Sequence, residues 1–134
     1  MPVISSRMLI EGEARAPLLK LESDLSFWGG VDPVTGVVID NRHPQSGECV
    51  DGKVLAMSRS IGSSSGSAIL LELMRLGHGP AGIILVNPDF IVTLGAVVAR
   101  EMGFGQIPVV QVGTKDLHDL SGVVTISRDG TIDY

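Results

Sequence analysis

The sequence predicts an α/β domain built in layers, and three observations lead to this fold class. The N-terminal part is rich in β-branched residues and turn signals, which is typical of antiparallel or mixed strands. Two later segments carry apolar residues at helical spacing and end at glycine. Short, continuous apolar runs alternate with these helices, as expected of strands covered on both faces. A chain of 134 residues fits a single domain over residues 1–134 and leaves no room for a second core.

The first elements are predicted to be extended. Residues 3–14 have the pattern of an edge strand, and residues 18–21 form a second strand after a proline. A turn is expected at residues 32–36, because proline early in the segment fixes φ and glycine at its end accepts a positive φ. The β-branched run 37–39 follows this turn. Residues 41–52 are polar and predict a loop.

The rest of the chain alternates strands with helices and ends in a hairpin. The helix at 63–76 is the clearest, because "GHGP" supplies a glycine stop and a following proline. Asn87 and Asp89 in "NPD" are predicted to cap the next helix. The full set of predicted elements is strand 53–57, helix 63–76, strand 81–86, helix 90–102, strand 107–112, a helical turn at 115–120 and the hairpin 123–126 with 131–134.

Composition excludes several classes of function. The chain has 44% hydrophobic residues and a mean hydropathy of +0.34, so it is not a disordered segment. A net charge of −5 without a lysine or arginine stripe argues against nucleic-acid binding. Cys49 is the single cysteine and can form neither an internal disulfide nor a multi-thiolate metal site. The chain shows no signal peptide and no apolar run near the roughly 20 residues that a membrane span needs, so we expect a cytoplasmic location and no membrane contact.

The segment Gly62-Ser63-Ser64-Ser65-Gly66 lies between a predicted strand and a predicted helix. Free N–H groups at a helix start favour an anion or a developing oxyanion, which suits a serine that removes a proton next to a carboxylate. The alternative is that Ser63 only caps the helix and that its neighbours are turn residues. Spacing alone leaves both interpretations open.

Two known loop motifs share features with this turn. No lysine follows the glycines, so the turn is not a Walker loop. It does match the Gly-x-Ser-x-Gly elbow of hydrolases, with Ser64 at the centre and Asp89 and His118 following in the hydrolase order. A chain of this size lacks the sheet that those hydrolases need, which argues against this match.

A second candidate site lies in residues 29–45. This segment offers the carboxylates of Asp32 and Asp40 and the imidazole of His43, which could act as ligands or as acid and base groups. Asp-Pro turns and a histidine before proline are also common structural features of loops. The sequence does not separate these two roles.

Three segments together resemble the small, swivelling-domain subunit of the aconitase X family. They are "SFWGGVDPVTGVVIDNRHPQSGE", "IGSSSGSAILLELMRLGHGPAGIIL" and "DFIVTLGAVVARE", in the order of the family. The resemblance implies an α/β fold of the swivelling β/β/α type, as in the aconitase small (swivel) domain. It also implies a heteromeric hydro-lyase in which a large catalytic subunit carries an iron or iron–sulfur centre. By this resemblance the chain itself binds no cofactor or metal and closes over a small carboxylate substrate.

The resemblance assigns roles to individual residues. It implies that Ser63 is the base that removes the α proton and that Ser64 and Ser65 donate hydrogen bonds to the substrate or to the Ser63 oxyanion. Gly62, Asp32 and His43 are the remaining candidate substrate-binding residues.

The chain departs from the family pattern in one place. The family commonly carries a cation where this chain has Ile61. Arg59, two residues upstream, is the candidate to replace that positive charge. The family activities are dehydration of cis-3-hydroxy-L-proline and of phosphomevalonate, and Ile61 favours the hydroxyproline reaction. A non-catalytic anion-binding or regulatory module, or a structural subunit whose serines only cap, are the alternatives from other classes.

Overall fold

The computed structural model describes residues 2–62 and 65–134. Within these residues the strands are β1 (Val3–Ser5), β2 (Arg7–Ile10), β3 (Ala14–Lys20), β4 (Val54–Met57), β5 (Gly82–Leu85), β6 (Val109–Gln111), β7 (Val123–Ile126) and β8 (Thr131–Asp133). The helices are α1 (Phe27–Gly30), α2 (Ser65–Arg75), α3 (Phe90–Glu101) and α4 (Thr114–Asp119). In the described part of the chain, no helix has the length and apolar character needed to cross a membrane.

The strands form one sheet in the order β1-β8-β7-β3-β4-β5-β6-β2. Strands β3, β4, β5 and β6 are parallel to one another, and the other neighbouring pairs are antiparallel. β1 and β2 stand at opposite ends of this order, yet only Ser6 separates them in the chain. The two ends of the sheet therefore meet at Ser6, and the sheet closes on itself.

Alternating side chains divide the core into two layers. On β4, Val54 and Ala56 point into the interior enclosed by the sheet, where they join Ile84 of β5. Leu55 and Met57 of β4 point the opposite way, into a second core with the buried faces of α2 and α3. This period of two follows from strand geometry, and it produces sheet, sheet and helix layers. The predicted β/β/α fold is confirmed.

The helices predicted at 63–76, 90–102 and 115–120 and the strands predicted at 53–57, 81–86 and 107–112 agree with α2, α3, α4, β4, β5 and β6 to within two residues, but α1 was not predicted and three expectations were wrong. The second strand does not begin after Pro17: β3 starts at Ala14, because residues 14–17 pair with β7. Residues 3–14 are not one strand, because the Ser6 amide and hydroxyl both bond the carbonyl of Gly130, at 3.0 and 2.7 Å, and the chain changes partner there. The run 37–39 forms only isolated bridges, from Val38 to Val31 and from Val37 to Cys49, within a loop.

Candidate functional site

The loop after β4, residues 58–62, leads into the glycine-serine turn and is called the serine loop below. It lies against the segment that precedes α1. Leu25 and Ser60 form a parallel bridge, and the Ile61 amide donates to the Leu25 carbonyl at 2.9 Å. The Arg59 side chain donates from Nε to Asp24 Oδ2 at 3.2 Å. Arg59 is thus already paired with a carboxylate, and this contact compensates its charge.

The start of α3 holds the same loop from another side. Asp89 Oδ2 accepts the hydroxyl of Ser60 at 2.7 Å and its amide at 3.1 Å. Asp89 Oδ1 accepts the amide of Val92 at 2.8 Å, so Asp89 caps this helix as predicted. The predicted capping role of Asn87 was wrong, because its side chain donates to the Ser58 hydroxyl at 3.1 Å instead. Ser60 is only 5% exposed, so the carboxylate rather than water satisfies its polar groups.

Glycine is required at position 62. The φ of Gly62 is +101°, a region that other residues rarely adopt, and a Cβ there would lie 2.5 Å from Ser26 Oγ. Ser26 Oγ in turn donates to the carbonyl of Trp28 at 2.9 Å. The absence of a side chain at Gly62 therefore lets the backbone of the loop approach Ser26 closely.

The first turn of α2 packs closely on α1 and α3. A Cβ on Gly66 would lie 2.8 Å from Ile91 Cγ2 and 4.0 Å from the Trp28 amide nitrogen. The Ser67 hydroxyl donates to the Ile91 carbonyl at 2.8 Å. Ser65, a predicted hydrogen-bond donor, begins α2 and is exposed. The predicted base Ser63 and its neighbour Ser64 lie outside the described residues, so their roles stay predictions.

His43 is buried and ties two loops together. Its Nδ1 accepts the amide of Gln45 at 3.0 Å, so the ring proton lies on Nε2, which donates to the Ser23 carbonyl at 3.1 Å. Ser23 directly precedes Asp24, the partner of Arg59. His43 therefore stabilises residues 23–25, which contact the serine loop. Because both ring nitrogens are engaged, contact with a substrate would require one of these hydrogen bonds to break.

Asp32 and Asp40 each stabilise the loop in which they lie. Asp32 Oδ1 accepts the amide of Val34 at 2.9 Å, and Asp40 Oδ1 accepts the amide of Arg42 at 3.0 Å. These are turn contacts of the kind that aspartate makes with the residue two positions on. No contact of the described residues joins either carboxylate to the serine loop, and the predicted substrate contact of Asp32 stays a prediction.

Two chemistries suggested by the sequence have no matching geometry among residues 2–62 and 65–134. The hydrolase elbow needs an aspartate bonded to histidine, whereas Asp89 bonds Ser60 and Val92 and makes no contact with His118. No group of three histidine, cysteine, aspartate or glutamate side chains in these residues could hold a metal ion. The thiol of Cys49 donates to the Thr35 carbonyl at 3.4 Å.

Three exposed apolar side chains lie in the serine loop or in the segments that contact it. Ile61, in the loop, is 41% exposed; Trp28, in α1, is 61% exposed and Phe90, at the start of α3, is 88% exposed. Phe90 also borders a depression of about 390 Å³ together with Arg7 and Asp89. Sequence reasoning did not single out Ser26, Ser60 or Trp28. Ser26 and Trp28 belong to "SFWGG", which is part of a segment that carries the family resemblance, and this was the available signal for them. The role of Ser60 depends on its contact with Asp89, 29 residues further along the chain.

The sequence is similar to a known family and to proteins of established name. A family model described as the aconitase X swivel domain matches residues 3–134. The chain is 43% identical over 121 residues to a cis-3-hydroxy-L-proline dehydratase of Hypocrea jecorina, covering 90% of this chain and 20% of that protein. It is 38% identical over 130 residues to the phosphomevalonate dehydratase small subunit of Methanothermobacter thermautotrophicus, covering 97% and 92%.

A solved structure shows the same fold. The crystal structure of Thermococcus kodakaraensis aconitase X in its holo form superimposes with a TM-score of 0.88 at 30% identity, covering 99% of this chain and 98% of that one. The chain spans about a fifth of the length of the cis-3-hydroxy-L-proline dehydratases that it matches. Because the family model covers almost all of the sequence, the chain belongs to the aconitase X swivel-domain family.

Proposed function

We propose that the chain is the swivel-domain part of an aconitase X-type hydro-lyase and that it supplies Ser63 as the base. The observation that carries this proposal is the support around the glycine-serine turn. The loop before the turn is bonded to Asp24, Leu25 and Asp89. The helix after the turn begins at Ser65 and packs on α3. A catalytic turn needs such support from rigid elements.

The proposed enzyme requires a large partner subunit. The relatives named cis-3-hydroxy-L-proline dehydratase are about five times as long as the matched region, whereas the archaeal small subunit is matched over nearly its whole length. The large part is expected to carry the iron or iron–sulfur centre and most of the substrate ligands. The exposed Trp28, Ile61 and Phe90 beside the loop are suited to be covered by such a partner.

The proposed substrate is cis-3-hydroxy-L-proline. Identity to the two dehydratases of that name is 43% and 44%, against 38% for the small subunit named for phosphomevalonate. The loop also supports this choice, because Ile61 replaces a cation and Arg59 is paired with Asp24. A substrate with a phosphate as well as a carboxylate needs more positive charge than this loop offers. Phosphomevalonate is the alternative substrate, because the match to the small subunit named for it covers 97% of this chain.

In the proposed reaction, Ser63 Oγ takes the α proton of the substrate. The electron pair of the broken C–H bond forms a double bond between the α and β carbons as the C–O bond to the β hydroxyl breaks. The departing hydroxide combines with one proton, which balances the proton that Ser63 took from the α carbon, so that one water is released and the serine returns to its starting state. The resulting enamine tautomerises to the cyclic imine. Negative charge that develops during proton removal is favoured near the N-terminus of α2 and by the hydroxyls of Ser64 and Ser65. A serine hydroxyl is a weak base, so the step also depends on the exclusion of water when the partner covers the site.

The test is an assay of the chain alone and co-expressed with the large aconitase X subunit of the same organism, on both substrates. We expect release of water from cis-3-hydroxy-L-proline only by the assembled pair. Preferential turnover of phosphomevalonate would contradict the substrate assignment. Inactivity of the pair on both, together with tight binding of a small anion by the isolated chain in titration calorimetry, would instead support a non-catalytic anion-binding module.

A further inference from the structure

Described residues that precede and follow Ser63 in the chain are bonded to the start of α3. Before the turn, the buried Ser60 donates its hydroxyl and its amide to Asp89 Oδ2, at 2.7 and 3.1 Å. After the turn, the Ser67 hydroxyl donates to the Ile91 carbonyl at 2.8 Å. The first residues of α3 therefore fix the chain on each side of residues 61–66.

We propose that Asp89 is a positioning residue for Ser63, an inference that rests on the proposed function. Its two carboxylate oxygens have separate tasks. Oδ1 accepts the amide of Val92 and caps α3, and this single bond is all that a helix cap requires. Oδ2 accepts both donors of Ser60, so the carboxylate joins the helix start to the loop that leads into the serine turn.

Burial makes this connection effective. Ser60 is 5% exposed, so water does not readily replace a lost partner, and its donors would stay unsatisfied without the carboxylate. Hydrogen bonds to a charged acceptor are also shorter and stronger than those between neutral groups. Because a catalytic group must be held within about 0.5 Å of its productive position, loss of this anchor displaces Ser63 from its task.

Two substitutions separate positioning from helix capping. Asp89→Asn keeps Oδ1 as an acceptor for the Val92 amide but places an amide donor opposite the two donors of Ser60. Ser60→Ala removes the hydroxyl and leaves the cap of α3 unchanged. Asp129→Asn is the matched control, because it alters an aspartate whose Oδ1 accepts the Thr131 amide in the β7–β8 turn, away from α3.

We expect kcat of the enzyme assembled with its large subunit to fall about tenfold or more in Asp89→Asn and in Ser60→Ala, because each variant loses at least one hydrogen bond to a charged group. KM should stay within about threefold. The double variant should be no slower than Asp89→Asn, because the hydroxyl that Ser60→Ala removes is one of the two donors that Asp89→Asn already leaves without its acceptor. In the chain carrying Asp89→Asn, hydrogen exchange should accelerate at the Ser60 amide and not at the Val92 amide. Asp129→Asn should match the unaltered enzyme.

Unchanged kcat in both variants would overturn the proposal. A loss of kcat that accompanies faster exchange at Val92 would also overturn it, because Asp89 would then act only as a helix cap. Ser63→Ala is measured alongside, and normal kcat in that variant would refute the proposed function. In that case the exchange at Ser60 would still decide whether Asp89 fixes the turn.

Discussion

Replacement of Gly62 by alanine tests the geometry of the serine turn at a position that the structure describes. The φ of Gly62 is +101°, and an added Cβ would lie 2.5 Å from Ser26 Oγ. The substitution therefore introduces backbone strain and forces the Ser26 hydroxyl away from its bond to the Trp28 carbonyl. These two effects can be separated.

The magnitudes follow from the local contacts. A left-handed conformation costs a residue other than glycine about 1–2 kcal/mol. Loss of the bond from Ser26 to Trp28 costs about 1 kcal/mol more. Gly62→Ala should therefore lower the free energy of unfolding by about 2–3 kcal/mol. Gly47 has a φ of +93° and nothing within 4 Å of an added Cβ, so Gly47→Ala should show the strain alone.

The assay is urea unfolding of Gly62→Ala, Gly47→Ala, Ser26→Ala and the double variant of Ser26 and Gly62. Ser26→Ala should cost about 1 kcal/mol. The double variant should cost no more than Gly62→Ala, because each change breaks the same hydrogen bond. Equal costs for Gly62→Ala and Gly47→Ala, or additive costs in the double variant, would show that the Cβ at position 62 does not break the bond from Ser26 to Trp28.

Three other predictions concern the frame around the site. His43→Ala should lower the free energy of unfolding by about 2–4 kcal/mol in urea titrations, because it leaves the Gln45 amide and the Ser23 carbonyl without their partner. The control His78→Ala should cost less than about 1 kcal/mol, because His78 is partly exposed and its contact with Asp51 is open to solvent. Ile84→Ala should cost about 2–5 kcal/mol by opening a cavity inside the closed sheet, and the half-exposed Leu94→Ala should stay within about 0.5 kcal/mol. Hydrogen bonds from the backbone and side chain of Thr131 hold the pKa of Asp129 below its ordinary value of 3.8. This carboxylate therefore stabilises the fold at pH values above 3.8 and loses the effect as the pH falls through its lowered pKa, so the stability difference between the unaltered chain and Asp129→Asn should shrink between neutral pH and about pH 2.

Local pattern was sufficient for the helices α2, α3 and α4 and for the parallel strands β4, β5 and β6, but not for α1 or for the first half of β3. The apolar run 81–86 contains β5, and the helix predicted at 90–102 is α3, with Asp89 as its cap. Closure of the sheet was not predictable, because it depends on the bonds of Ser6 to Gly130, at the other end of the chain. No local periodicity reports such a contact.

In the candidate site, features marked by the local sequence were predictable, and contacts between distant segments were not. The glycine-serine motif marked the turn, and the positive φ of Gly62 agrees with it. The capping role of Asp89 followed from its place before an apolar helix. Its bond to Ser60 did not, because that bond depends on how the loop after β4 meets the start of α3. The imidazole of His43 looked available in sequence, whereas the fold engages both of its nitrogens.

The proposed role of Ser63 in removing the substrate proton is tested by kcat of Ser63→Ala in the enzyme assembled with the large subunit. Co-purification of the two subunits establishes that the variant still forms the complex. We expect intact assembly and a fall in kcat of about 10²–10⁴-fold, the contribution of a positioned general base. Intact assembly with near-normal kcat would show that Ser63 is not the base.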